Sequence, residues 1–391
     1  MKHKSALLTL LLLAMVLPFS AQEALWNQPE VQSPVIHKDN KVSFQIYAPQ
    51  AGEVLLSGTW MPREDWAPEP VAMKKDDSGV WTHTTEVLAS DLYTYFFLVD
   101  GVQVCDPANP YVVRDVASIF NYLLVPGGQG DLYAVQDVPH GTLAYRWYPS
   151  PGTGQERRLA IYTPPGYENS TSTYPVLYLL HGMGGDETAW TTLGRTVEIL
   201  DNLIAQGKAR PMIVVMPNGN VSQQAAPGAA PGALRPPSMD LPQTMEGSME
   251  TTFPEIIQFV EQNYRANREK SQRAIAGLSM GGFHSLHTSR LHPDTFDYIG
   301  LFSPAITPLE GSIPEIYRNM DASLTTQKDK GYRLYWIAIG KNDFLYDQVS
   351  RYRGTLNRLG LPFTYTETEG GHTWDLWRSY LTLFVPQLFK N

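Results

Sequence analysis

The stretch Ala274-Ile275-Ala276-Gly277-Leu278-Ser279-Met280-Gly281-Gly282 constrains this chain more than any other. A run of small and β-branched residues, the mark of a strand, ends in Gly-x-Ser-x-Gly and passes into residues able to begin a helix. In such a strand–turn–helix the serine sits on a sharp, strained turn with its hydroxyl exposed. Gly277 and Gly281 flank it because the turn leaves no room for β-carbons nearby. A serine hydroxyl becomes a useful nucleophile only when a base takes its proton and an acid holds that base in the right tautomer. The rest of the chain is therefore read for those partners.

With 391 residues, 43% of them hydrophobic, the chain is long enough for two globular domains. A net charge of −9 argues against nucleic acid or an anionic membrane as partner. Lys2, His3 and Lys4, the apolar run Leu7 to Leu17 and the segment Pro18-Phe19-Ser20-Ala21 read as an export signal over residues 1–21. That run is short for a bilayer span. The one cysteine, Cys105, leaves no internal disulfide and no lipid-anchoring thiol behind the run. The expectation is a soluble protein, secreted or periplasmic in a bacterium.

Residues 25–126 read as strands. Val42, Phe44 and Ile46 alternate with polar residues, and Tyr93 to Val99 ends on Asp100-Gly101, a hairpin turn signal. Short strands of this kind predict a small all-β, immunoglobulin-like sandwich. Val42 to Pro49, Gly58-Thr59-Trp60, Gly79-Val80-Trp81 and Tyr93-Thr94-Tyr95 with Val99-Asp100-Gly101 and Asp106-Pro107 also carry a resemblance to early-set, family 48-type carbohydrate-binding modules. The resemblance implies a glycan ligand. Trp60, Trp66 and Trp81 are the candidate sugar-stacking residues, set against a core role, and Trp66 is the best placed for exposure.

Residues 127–136, opening on Gly127-Gly128 just after Pro126, read as a linker. From 137 to 391, strands alternate with helices. Val176 to Leu180 and Met212 to Met216 are apolar throughout, as in strands buried on both faces. Met249 to Tyr264 has helical spacing. The alternation predicts a mostly parallel sheet with helices on both faces, and with the Gly-x-Ser-x-Gly elbow this makes the α/β-hydrolase fold class the expectation. Residues 218–244, rich in Pro, Gly and Ala, fit no element and are either a lid beside the site or plain disorder.

In the α/β-hydrolase arrangement the acid and then the histidine follow the serine. His284, His287 and His292 fall on the helix after the elbow and point away from it. His372, in Glu369-Gly370-Gly371-His372-Thr373-Trp374, occupies a loop at the carboxyl edge of the sheet and is the candidate base. Asp343, just past the strand Ile337-Ala338-Ile339, is the candidate acid, with Asp347 its competitor; Asp297, Asp321 and Asp329 lie in the wrong places. The oxyanion needs two backbone N–H donors. Met280, at a helix start, offers one, and His181-Gly182-Met183-Gly184-Gly185 the other, from Met183 or else Gly182. His181, which precedes the serine, reads as a structural turn residue.

Tyr174 to Gly185 with Asp186-Glu187-Thr188-Ala189-Trp190, Gly277 to Gly282, and Gly371-His372-Thr373-Trp374 resemble the family 1 carbohydrate esterases, also called esterase D-like, which include feruloyl and acetylxylan esterases. The resemblance spans about residues 137 to 389. It implies the triad Ser279, Asp343 and His372, oxyanion donors on Met183 and Met280, no metal and no organic cofactor. It further implies an exported serine esterase acting through an acyl-enzyme on feruloylated or acetylated xylan. Feruloyl esterase is the first reading and acetylxylan esterase the nearest alternative, with a silent glycan-binding protein or a sugar acyltransferase as rivals. Trp190, Phe344 and Trp374 flank the motifs and are the candidate walls of an acyl pocket.

Overall fold

A computed structural model describes residues 31–64, 67–231, 238–239, 243–308 and 313–390. The export signal, Trp66 and part of the 218–244 excursion lie outside the described residues. Among those described, no helix is long and apolar enough to cross a membrane.

Apart from the short pair Arg63–Glu64 with Ala67–Pro68, the described N-terminal strands form two antiparallel sheets. One runs Val35–Ile36, Val42–Tyr47, Val80–Thr84, Lys74–Lys75; the other runs Val112–Asp115, Ser118–Leu124, Leu92–Val99, Val54–Gly58, Val71–Ala72. Val42, Phe44 and Ile46 point inward and meet Val54, Leu56, Tyr95 and Phe97 from the facing sheet. Each such side chain contributes about 1.5–3 kcal/mol on full burial. Asp100 and Gly101 both take positive φ, 49° and 82°, as the tight turn from Leu92–Val99 into Val102–Val104 requires. Two of the three candidate sugar-stacking tryptophans belong to this core. Trp81 is buried and its Nε1 donates to the Ala48 carbonyl at 2.9 Å; Trp60 stacks on Phe44 with ring centroids 5.2 Å apart.

The segment read as a linker is docked. Residues Gly130–Tyr133 form a helical turn in which Tyr133 is fully buried, and the Asn202 side-chain amide donates to the carbonyls of Leu132 and Ala134 at 3.0 and 2.9 Å. The polar look of Pro126 to Gly130 gave no hint of this, because the anchoring group lies some seventy residues further on.

Beyond it stands an eight-stranded sheet: β1 Thr142–Ser150, β2 Gln155–Thr163, β3 Val176–Leu180, β4 Ile213–Pro217, β5 Arg273–Leu278, β6 Tyr298–Phe302, β7 Leu334–Gly340 and β8 Thr364–Thr368. Their spatial order is β1-β2-β4-β3-β5-β6-β7-β8, parallel from β4 onward, with β2 antiparallel to both its neighbours. Strand β1, half exposed along its length, has no apolar run to betray it. Among the described residues, six helices cover the sheet: α1 Thr196–Ala205, α2 Ser248–Asn263, α3 Met280–Leu291, α4 Met320–Lys330, α5 Tyr346–Leu359 and α6 Trp374–Phe384. One core lies under α2 to α5, through Phe253, Phe283, Leu324 and Val349. The other lies under α1 and α6, through Ile199, Leu203, Tyr380 and Phe384. Helices thus cover both faces, as the alternating pattern predicts. Pro254 inside α2 cannot donate to the Glu250 carbonyl, and His292 Nε2 fills that vacancy at 3.2 Å.

Candidate active site

The elbow is strained in the way its motif requires. Ser279 has φ 53° and ψ −114°, a conformation few non-glycine residues adopt, and such strain tends to be kept where function needs it. The turn is held by Ser279 N–H donating to the Phe302 carbonyl at 2.9 Å and Ala305 N–H donating to the Ser279 carbonyl at 3.1 Å. A β-carbon on Gly277 would lie 2.4 Å from the Gly281 backbone, and one on Gly281 would lie 2.2 Å from the Leu180 carbonyl oxygen. Helix α3 can cross β3 and β5 this closely only without those side chains.

The loops after β7 and β8 are laced together. Lys341 N–H donates to the Thr368 carbonyl and Asn342 N–H to the Gly370 carbonyl, each at 2.9 Å. This lacing places His372 Nδ1 2.8 Å from Asp343 Oδ2, while Asp343 Oδ1 accepts from the Leu345 amide at 2.9 Å. Asp343 is buried; Asp347 lies exposed in the first turn of α5. Asp297 is taken up by Lys270 and Arg333, and Asp321 by Arg358. Ser279 and His372 line one cavity of about 530 Å³ with Gly182, Met183, Phe344 and Trp374. Met280 opens the twelve-residue helix α3 directly behind the serine.

The Met183 loop also meets the elbow closely. A β-carbon on Gly182 would lie 3.3 Å from Ser279 Cβ and 2.6 Å from a Leu278 methyl. His181 is committed elsewhere. Its Nδ1 lies 2.7 Å from the Gly182 carbonyl and its Nε2 accepts from the Gly219 amide at 2.8 Å, so the ring is neutral with its proton on Nδ1. His287 is likewise neutral, accepting from Arg290 Nε at 2.8 Å and facing the Ile306 carbonyl at 3.1 Å.

Burial is the main force lowering the affinity of both rings for a proton. Their unfolded values lie near 6.5, so the stability they allow is present above about pH 6.5 and is lost as pH falls toward the lower folded values. The thermal midpoint should accordingly drop between pH 6.5 and 5.5. A midpoint that holds or rises across that interval would mean that the rings are charged in the fold.

Of the proposed pocket walls, Phe344 and Trp374 line the cavity, and the Phe344 ring lies 4.7 Å edge-on to His372. Trp190 does not reach it. Trp190 is fully buried, donates from Nε1 to the Leu180 carbonyl at 2.9 Å and packs edge-on against Phe302 and Trp374, so it belongs to the core. The first part of the 218–244 excursion is pinned. Arg157 Nη2 donates to the Asn218 carbonyl at 2.5 Å, Asn220 Nδ2 to the Gly185 carbonyl at 2.6 Å, and the Ala226 amide to buried Glu187 at 2.9 Å. Further along, Met239 lines the cavity.

One whole wall was missed in the sequence. Thr94, Phe96, Asp115, Val116 and Phe120, all from the N-terminal sandwich, line the same cavity as Ser279 and His372. No local motif announces them, since the contact joins segments far apart in the chain.

The family model described as "Putative esterase" matches residues 150–388, well over half the sequence. The chain belongs to this esterase family. The endo-1,4-β-xylanase/feruloyl esterase of Xylanibacter ruminicola is 32% identical over 71% of this esterase, which spans only 37% of that protein's length. Among solved structures, the ferulic acid esterase of the anaerobic fungus Anaeromyces mucronatus, in complex with ferulic acid, superposes with a TM-score of 0.53 at 26% identity, over 66% of this chain and 94% of its own. The enterobactin esterase of Shigella flexneri matches with a TM-score of 0.64 over 94% of this chain and 98% of its own; at 16% identity it shows the fold alone. The esterase is an α/β hydrolase preceded by a small antiparallel β region, and it is related to feruloyl esterases.

Proposed function

We propose that this esterase is an exported serine hydrolase that frees hydroxycinnamic acids from plant cell-wall xylan. Its triad is Ser279, His372 and Asp343, and its oxyanion hole is formed by the Met183 and Met280 amides. The observation that carries this reading is the Asp343–His372 pair opening on the same cavity as the strained Ser279 elbow. Ser279 Oγ attacks the ester carbonyl carbon as its proton passes to His372 Nε2, and the carbonyl electron pair moves onto oxygen. Collapse expels the sugar hydroxyl, which takes the proton from His372 and leaves an acyl-serine. Water then repeats the sequence, releasing the acid and restoring the serine. Each oxyanion donor contributes about a hundredfold or more to kcat. The N-terminal basic and apolar run favours export, and the relatedness to a xylanase/feruloyl esterase favours feruloylated or acetylated xylan as the partner.

The acyl preference follows from the walls. Phe344, Trp374 and Trp377 put flat apolar surface on the cavity, with Phe96 and Met239 nearby. A hydroxycinnamoyl ring gains about 1 kcal/mol or more against each such wall, whereas an acetyl group has little surface to bury. Methyl ferulate should therefore exceed acetyl esters in kcat/KM by about tenfold or more. A hydrolysis panel of methyl ferulate, acetylated xylan and short nitrophenyl esters tests this. Faster turnover of acetylated xylan would move the assignment to acetylxylan esterase.

A further inference from the structure

One hairpin of the sandwich that reaches the site is Val112–Asp115 paired with Ser118–Leu124. Three consecutive residues at its tip each grip a different part of the hydrolase. Arg114 forms an ion pair with Asp186, five residues beyond His181. The Asp115 carboxyl lies beside the Trp374 side chain, two residues past His372. Val116 lies against Gly184, where an added β-carbon would sit 2.7 Å from a Val116 methyl. Val116 itself has φ 50°, a rare conformation for a β-branched residue, and Arg114 Nη1 stabilises it by donating to its carbonyl at 2.7 Å. A hairpin that merely joined two domains would not require such a tip.

The loop it grips is the one carrying the Met183 amide. From within, that loop is closed by Gly185 N–H donating to the Gly182 carbonyl at 3.2 Å. From the hydrolase side it is held by Asn220, and Asp186 Oδ1 accepts from both the amide and the hydroxyl of Thr188, at 2.8 and 2.6 Å. Asp186 Oδ2 and the outer face of Gly184 are met by the sandwich. We propose that the Arg114–Val116 tip is a positioning element of the active site, fixing the Met183 amide where the oxyanion develops. The proposal rests on the reading of Met183 as an oxyanion donor. A donor displaced by even a few tenths of an ångström loses much of its effect on a transition state built around it.

The test uses the full chain. Removing Arg114 alone would strand a buried carboxylate and risk unfolding, so the paired variant Arg114→Met with Asp186→Asn is made. It leaves no unpaired charge and keeps an acceptor for Thr188. Val116→Ala is made separately. Each is assayed on a nitrophenyl ester and on its thionoester, whose sulfur accepts hydrogen bonds weakly and so draws less on the oxyanion donors. Ser279→Ala, run alongside, tests the underlying reading on its own. The expected result is a fall of about tenfold in kcat on the oxoester with KM within twofold, and a fall of threefold or more in the ratio of oxoester to thionoester rates. A ratio that changes less than threefold in both variants overturns the proposal, whatever happens to thermal stability. Full activity in Ser279→Ala would instead overturn the serine mechanism.

Discussion

Ser279→Ala and His372→Ala should each lower kcat on methyl ferulate by about ten-thousandfold or more, and the double variant should be hardly slower than either. The reason for the non-additivity is chemical. Without the imidazole, the serine proton has nowhere to go; without the serine, the imidazole has no nucleophile to activate. Whatever rate remains comes from the oxyanion donors and from holding the ester beside them, which neither substitution touches. Ser279→Ala should also retain its fold, because the elbow is held by the backbone bonds to Phe302 and Ala305 rather than by the hydroxyl. Burst kinetics with a nitrophenyl ester would show the acyl-enzyme in the wild type and none in Ser279→Ala. Independent, multiplying losses would mean that the two residues do not act as one unit.

Asp343→Asn should cost about a thousandfold or more, while Asp347→Asn stays within twofold of wild type. Asp343 must accept at both oxygens, from the Leu345 amide at Oδ1 and from His372 at Oδ2. A carboxamide has one acceptor and one donor end. If its oxygen keeps the Leu345 bond, its NH2 faces Nδ1 and forces the imidazole proton onto Nε2, the atom that must receive the serine proton. If it turns, NH2 meets the Leu345 N–H and the loop after β7 is disturbed. Asp347 has no such duty in the exposed first turn of α5. A crippled Asp347→Asn beside a mild Asp343→Asn would reassign the acid.

Much of this was legible because it is local. The apolar run before Gly277, the glycines around Ser279 and the Gly370-Gly371 pair before His372 each announce a strand end or a tight turn within ten residues. The mostly parallel character of the sheet follows from the same runs, since parallel strands need crossover helices between them. What could not be read joins distant parts of the chain. Trp190 looked like a pocket wall because it follows the glycine loop, yet its indole N–H goes to the Leu180 carbonyl inside the core. The start of the 218–244 excursion looked structureless, but buried Arg157 and Glu187 supply partners for its backbone. The sandwich wall depends on pairs such as Arg114 with Asp186 and Arg378 with the Leu92 carbonyl, 72 and 286 residues apart.

The docked turn at Gly130–Tyr133 bears on how such proteins can be recombined. Asn202 holds its carbonyls, Arg195 donates to the Tyr133 carbonyl at 2.9 Å, and Ser90 caps the Gly130 amide at 3.0 Å. A crossover placed at the apparent boundary near residue 126 would separate Ser90 from Gly130, while Tyr133 would stay with Arg195 and Asn202. Exchange of the first part between relatives is therefore a transplant of a matched joint, in which the donor's residue at position 90 must suit the recipient's turn at 130–133.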